Sequence, residues 1–443
     1  MRQKKLMAKE AWVIAVDMGY GHQRAAYPLK DIAKMRILDI NTDSLIPKKE
    51  RTIWVTVQKY YETVSRMKDI PLIGGFLFGM YDKFQSISPL FPIRDLSKPS
   101  FVAKFTKKII LRKKLCDELS KMISQNKLPV ITTFPVIALA LDYRKTKNKI
   151  YCVVTDSDVN RAWVSCEPKT SKIIYLAPCK HIVLRLKQYG VPDNKIIMTG
   201  FPLPKENIGD RKEKILKEDL RNRIHNLDPK KVFIKKNGPL VTKYLGRKVP
   251  ERSDHVLTIS YLVGGAGAQK ENGVSIMKSL RDKILKNKIC LNLVAGTRKE
   301  VFDYYDKKID KLGLSSRLGQ NLRIIFSNNK NDYFKMLNMY LRKTDIVWTK
   351  PSEMSFYAGL GLPIIMTKPL GAHEDYNKEW LEHFGGGIRE EDPRYCNDWL
   401  FYWLESGMLA EAAFSGYLEA LTQGVYNIED VVLKNVRKSF FEK

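Results

Sequence analysis

Cysteine and histidine are scarce, with six of each in 443 residues. Cys116, Cys152, Cys166, Cys179, Cys290 and Cys396 contain no Cys-x-x-Cys pair, so neither a zinc cage nor a disulfide framework finds its usual spacing. They read as free thiols of a reducing compartment. Long apolar runs are missing too. None reaches the ~18 residues that crossing a bilayer demands, and the nearest candidate, the run from Ile70 to Tyr81, suits lying on a membrane. The apolar Ala11 to Val16 stretch behind the basic N-terminus is shorter than the ~7–15-residue core of a secretion signal. Acidic residues are in deficit: 48 Asp and Glu stand against 77 Lys and Arg, a formal charge of +29, which points to an anionic partner. What is present is enough to fold. Hydrophobic residues make up 44% of the chain, which argues against disorder, and the length allows two or three domains.

Nearly continuous apolar runs at Trp12–Val16, Arg36–Ile40, Pro129–Thr133, Ile150–Thr155, Ile173–Ala177 and Lys195–Thr199 have the character of strands covered on both faces. The alternation restarts at Val256–Leu262 and continues through Ile289–Ala295, Leu322–Phe326, Asp345–Thr349 and Pro363–Thr367. Strand and helix alternate in both halves, so the expected fold is α/β with two Rossmann-like, doubly wound parallel sheets. The expected division is a first domain over 1–208 with a basic, aromatic insertion near 42–112, a basic linker and insertion over 209–254, a second domain over 255–385, and a helical tail over 386–443. The 211–254 stretch carries 14 Lys and Arg against 6 Asp and Glu.

Three clusters carry chemistry. Asp17-Met-Gly-Tyr-Gly-His22 lies between a strand and a helix, where Gly19 and Gly21 let the backbone turn tightly; a plain βα turn is the bland reading. His22 at a strand's carboxyl edge has the chemistry of a general base, set against a buried, satisfied histidine. Leu262-Val-Gly-Gly-Ala-Gly-Ala268 repeats the arrangement in the second half, with Gly264, Gly265 and Gly267 spaced to offer backbone amides to an anion. It matches neither the dinucleotide-binding nor the P-loop pattern. Trp348-Thr-Lys-Pro-Ser-Glu-Met-Ser355 and Lys368-Pro-Leu-Gly-Ala-His-Glu-Asp-Tyr-Asn377 follow two further strands and form a plausible cradle for a sugar nucleotide, with Lys350 near phosphate and Glu374 and Asn377 on sugar hydroxyls. Asp156-Ser-Asp158 invites a metal reading, but a capping role after the Ile150–Thr155 strand fits it better.

In their order, DMGYGHQRAA, TTFP, VVTD, IIMTGFPLP, LVGGAGA, LVAGTRKE, TKP and GLPIIM resemble the GT-B glycosyltransferases that include monogalactosyldiacylglycerol synthase, the diacylglycerol glucosyltransferases and the peptidoglycan N-acetylglucosaminyltransferase. The resemblance covers about residues 11–40 and 129–390, leaving out the 42–112 region, the 233–254 insertion and the tail. It implies two Rossmann-like domains facing across a cleft, the acceptor side first, and a nucleoside-diphosphate sugar, typically a UDP-sugar, as donor. His22 matches the candidate base of that family and Gly19 and Gly21 its glycine turn. The implied donor-binding set is Gly264, Gly265, Gly267, Arg298, Lys350, Ser352, Glu353, His373, Glu374 and Asn377. His373 stands where the family has glutamine, and Phe356 where it has a ribose-binding glutamate, leaving Glu353 as the nearby acid. No metal or other cofactor is expected, since amides and basic side chains can stabilise a departing diphosphate.

Between Asn41 and Leu115, 15 Lys and Arg oppose 6 Asp and Glu, interleaved with aromatics. This suits an anionic membrane surface and a lipid or lipid-linked acceptor, with the protein peripheral on the cytoplasmic face. A solvated basic helix is the plainer reading. The rivals are a GT-B-fold binding protein without turnover, a sugar-nucleotide epimerase, and a basic nucleic-acid-binding protein, for which no recognised RNA- or DNA-binding motif is present.

Overall fold

The structure, a computed structural model, describes residues 9–67, 86–264, 267–369 and 371–440, with the side chains of 59–67, 372 and 373 outside that description. The apolar run at 70–81 therefore lies outside the described residues. Among those described, no helix is long and apolar enough to cross a membrane, and all six cysteines are free thiols, five of them buried.

The chain forms two compact units. The first comprises Met1–Leu203, Gly371–Tyr376 and Gln423–Lys443. Its sheet holds β1 (Trp12–Ala15), β2 (Leu38–Asp39), β3 (Val130–Thr132), β4 (Ile150–Val153), β5 (Ile173–Ala177) and β6 (Ile196–Met198), all parallel, in the order β2-β1-β3-β4-β5-β6. Every residue of β1, β3, β4 and β6 is buried, as expected where helices such as Pro135–Tyr143 and Lys180–Gln188 cover the faces. Strand order reverses at β1, which pairs with β2 on one side and β3 on the other. Such a reversal opens a crevice beyond the carboxyl ends of β1 and β3, where open α/β sheets hold their ligands.

The second unit comprises Pro204–Leu370 and Asn377–Thr422. Its parallel strands are β7 (Thr258–Leu262), β8 (Cys290–Gly296), β9 (Leu322–Phe326), β10 (Ile346–Thr349), β11 (Ile364–Met366) and β12 (Gly387–Arg389), in the order β12-β11-β10-β7-β8-β9. The reversal here lies between β7 and β10. Both sheets accord with the α/β, two-domain, Rossmann-like fold expected from the strand pattern.

The boundaries differ from expectation in three places. First, the 209–254 stretch is mostly helical, with helices at Lys214–Leu227 and Val232–Leu245, and it belongs to the second unit. Arg223 explains why the first of these helices is core: its buried guanidinium donates to the carbonyls of Thr344 at 2.7 Å, Leu360 at 2.7 Å and Leu341 at 3.3 Å. Buried Glu213 likewise accepts from the Tyr417 hydroxyl at 3.0 Å. Second, the expected tail from 386 begins as strand β12 of the second sheet. Third, the chain from Gln423 returns to the first unit, where Asn427 donates to the Thr199 carbonyl at 2.9 Å and Gly424 lies so close to Phe201 that a β-carbon would overlap its carbonyl oxygen. The 42–112 insertion contributes helices at Lys48–Met67 and Phe101–Arg112 to the first unit.

Candidate functional site

In the first unit the Asp17–His22 turn leaves β1 at the reversal point. Gly19 has φ +85° with open space around its missing side chain, so glycine is needed for the backbone angle and not for room. Gly21, expected in the turn, is the second residue of the Tyr20–Ala26 helix. The turn is tied to the end of β2: the Asp17 amide donates to Asn41 Oδ1 at 2.9 Å, and Gln23 Nε2 to Asp39 Oδ2 at 2.5 Å.

His22 is held from the end of β3. Its Nδ1 lies 2.6 Å from the Thr133 carbonyl oxygen, and the Thr133 hydroxyl donates to the His22 carbonyl at 2.8 Å. A carbonyl oxygen only accepts, so Nδ1 carries the hydrogen and the basic lone pair sits on Nε2. The ring meets Phe134 edge-on at 4.9 Å between centroids, with Trp163 at 6.5 Å. Trp163 ends a short 3₁₀ turn whose first residue, Arg161, lines a cavity of about 730 Å³ together with Leu96, Lys98, Phe101, Val102 and Tyr189. Thr133, Phe134 and Trp163 received no role from the sequence. TTFP, which holds the first two, was the available signal.

Asp158 is not presented for a metal. It is fully buried; Arg185 Nε and Nη2 each donate to it at 2.7 Å, and His181 Nε2 lies 2.8 Å from Oδ2. Burial alone would raise this carboxyl, but His181 and Arg185 hold it below its ordinary range. Oδ1 also accepts from the Val159 amide at 2.8 Å, but Asn160 caps the turn that follows, so Asp158 is a buried counter-ion and not the cap expected. Among the described residues no cluster of three or more His, Cys, Asp or Glu is placed to hold a metal ion.

In the second unit the turn after β7 occupies the corresponding reversal point. The Gly267 amide donates to the Gly264 carbonyl at 2.8 Å, with Gly267 at φ +79°. Lys350, just beyond β10, lies over Gly264: a β-carbon there would sit 2.9 Å from Lys350 Cε. Two expected donor-binding elements thus meet, with a cation placed over a glycine turn. Gly265 lies outside the described residues, as does the side chain of His373. Arg298 precedes the Lys299–Lys311 helix, its Nη1 4.0 Å from Glu300 Oε1. Ser352 stands just before a 3₁₀ helix, Glu353–Leu360, without a capping hydrogen bond from its side chain, and Glu353 is buried in that helix. Phe356 is also buried and packs on Trp380 at 4.8 Å, so it serves the core. Glu374 and Asn377 are both buried on the Ala372–His383 helix, but Glu374 belongs to the first unit and Asn377 to the second, whereas the sequence placed both in one donor domain.

Two further residues shape this edge unforeseen. Gln269 accepts from the Thr367 hydroxyl at 2.7 Å and donates to the Lys368 carbonyl at 3.0 Å, joining the glycine turn to the end of β11. Glu390, directly after β12, receives Trp348 Nε1 at 2.7 Å, yet burial pushes its carboxyl up to about 7.

No protein-family model matches the chain. Processive diacylglycerol β-glucosyltransferases of several Bacillus cereus strains are similar to it, one being 24% identical over 274 residues, 60% of this chain. The match spans 58% of the length of that relative. Among solved structures, MurG of Acinetobacter baumannii overlays 96% of this chain and 99% of its own at a TM-score of 0.42 and 12% identity. UDP-GlcNAc 2-epimerase of Neisseria meningitidis bound to UDP-GlcNAc overlays 77% of this chain and 84% of its own at 0.39 and 14% identity. Overlays at this level assign no activity. By its ordered motifs, its sequence relatives and its two parallel six-stranded sheets, the chain resembles the GT-B glycosyltransferases.

Proposed function

We propose that this protein transfers a sugar from a nucleoside-diphosphate sugar, a UDP-sugar first among them, to a lipid or lipid-linked acceptor at an anionic membrane surface. The observation that carries the reading is His22, fixed by Thr133 at the reversal point of the first sheet with its basic lone pair on Nε2. In this mechanism Nε2 removes the proton of the acceptor hydroxyl as its oxygen attacks the anomeric carbon, and the bond from that carbon to the diphosphate breaks. Lys350, lying over the glycine turn at Gly264, and Arg298 meet the charge that develops on the leaving diphosphate, so the mechanism calls for no metal.

A lipid acceptor is supported by the cavity beside the Arg161–Trp163 turn, where Leu96, Phe101, Val102 and Tyr189 supply apolar wall next to a polar side that holds Lys98, Asp95 and Asn160. The Phe101–Arg112 helix supports the membrane surface. Phe101 is 70% exposed and Phe105 52%, the two rings stack, and Lys104, Lys108 and Arg112 are exposed beside them. Exposed aromatics among cations suit the headgroup region of an anionic bilayer. The named activity of the Bacillus cereus relatives agrees with this acceptor class.

Incubation with radiolabelled UDP-, GDP- and dTDP-sugars and a membrane lipid extract tests the reading. Label is expected in the organic phase with one of them. Label that stays in a nucleotide sugar of altered configuration, formed without lipid, would replace transfer by epimerisation. Nucleotide binding without turnover would leave a binding module.

A further inference from the structure

The Val232–Leu245 helix of the second unit lies in the segment that the family resemblance omits, and neither the donor site nor the acceptor site uses it. Between Lys230 and Arg252 the chain has eight Lys and Arg and a single acid, Glu251. One face of the helix is anchored: Phe233, Val241 and Leu245 are buried, Phe233 packs edge-on against Phe414 at 5.9 Å, and Asp228 accepts from the amides of Phe233 at 3.2 Å and Ile234 at 2.8 Å. The opposite face carries Lys235, Lys236, Pro239 and Lys243, all exposed, and along its margin Leu240 and Tyr244 are 42% and 38% exposed. Among the described residues none of these three lysines pairs with a carboxylate. Lys243 Nζ lies 5.8 Å from the centroid of the Tyr244 ring, which leaves its positive charge without a carboxylate to offset it, as for the other two.

We propose that this helix is a second membrane-contacting surface, one that lies flat on anionic phospholipid headgroups. The lysines supply attraction to phosphate, while Leu240 and Tyr244 offer apolar area at the depth where an interfacial helix inserts. A nucleic-acid backbone would use the same lysines, but it has no use for an exposed leucine, and that apolar margin favours the bilayer. The proposal takes its partner's chemistry from the membrane reading above, yet it stands on a different helix in a different unit.

Cosedimentation of the full chain with phosphatidylcholine vesicles, with and without phosphatidylglycerol, tests it. The Lys235→Glu/Lys236→Glu/Lys243→Glu variant is expected to bind the anionic vesicles at least about tenfold more weakly. Leu240→Ser, which keeps every charge, is expected to lose the binding that survives in high salt. Circular dichroism should leave both folded, since the altered side chains are exposed. Wild-type binding by both variants overturns the proposal, as does a triple variant that loses affinity for duplex DNA while holding vesicles normally. A Lys104→Glu/Lys108→Glu variant run alongside separates the two readings. If it alone abolishes vesicle binding, the first-unit surface stands and this one falls; if no variant matters, both fall.

Discussion

Thr133 grips His22 twice, once through its carbonyl on Nδ1 and once through its hydroxyl on the His22 carbonyl, so ring position and tautomer come from the same neighbour. The two residues are 111 apart in sequence, and no local pattern announces the pair. The histidine itself was legible, because a strand–glycine–histidine turn is a local signal; Gly21 was misplaced because one residue decides whether a glycine turns the chain or starts a helix. Lys350 over Gly264 is the comparable pairing in the second unit. Gly264→Ala would drive a methyl group to 2.9 Å from Lys350 Cε and displace the amine. Titration calorimetry with UDP should show both Gly264→Ala and Lys350→Ala weakening binding about 10- to 100-fold, the range for a lost hydrogen bond to a charged group. The double variant should be little worse than either, since both remove one contact. Additive losses would mean that the lysine and the glycine act separately.

Among the elements, strands with continuous apolar character were readable from sequence, and β12 was not. It has three residues in a Gly-Gly-Gly-Ile-Arg context and lies at the sheet edge, where pairing on one side only leaves no apolar run to detect. The helix at Lys214–Leu227 was hidden by its charge, because Arg223 looks like a surface residue until its carbonyl partners more than 100 residues away are known. Asp158 fixes the Lys180–Gln188 helix through Arg185, which also donates to the Ser88 carbonyl at 2.7 Å. Asp158→Ala leaves a buried guanidinium without its counter-ion and should cost about 3–5 kcal/mol, read as a lower midpoint in urea unfolding. Glu390 ties β12 to β10 through Trp348 with the opposite consequence. Its folded carboxyl titrates at about 7, above the ordinary glutamate value, so the folded state holds the proton more tightly than the unfolded chain. The associated stability is complete below the ordinary value and is lost as pH rises through about 7. Glu390→Gln should therefore unfold like the wild type near the acid end and be about 1–3 kcal/mol more stable above pH ~8.

At the scale of the whole molecule, two doubly wound units follow from the repeated alternation of apolar strand and helix, and the sequence showed both. The division of the chain between them was less visible. Residues 371–376 and 423–443 rejoin the first unit through tertiary contacts such as Asn427 with Thr199, which leave no mark on composition or periodicity. The excess of 29 positive charges is shared by both units, with one lysine-bearing helix in each also exposing apolar side chains. All of this matters to function only if the first unit supplies a base to an acceptor hydroxyl. The most direct measurement is the rate of sugar transfer to lipid by His22→Ala against the natural chain, with nucleotide affinity and thermal midpoint recorded on both. The account predicts a rate lower by about 10²–10⁴-fold, the usual share of general-base catalysis, with affinity and midpoint unchanged. Transfer at the natural rate by a folded His22→Ala protein would contradict it.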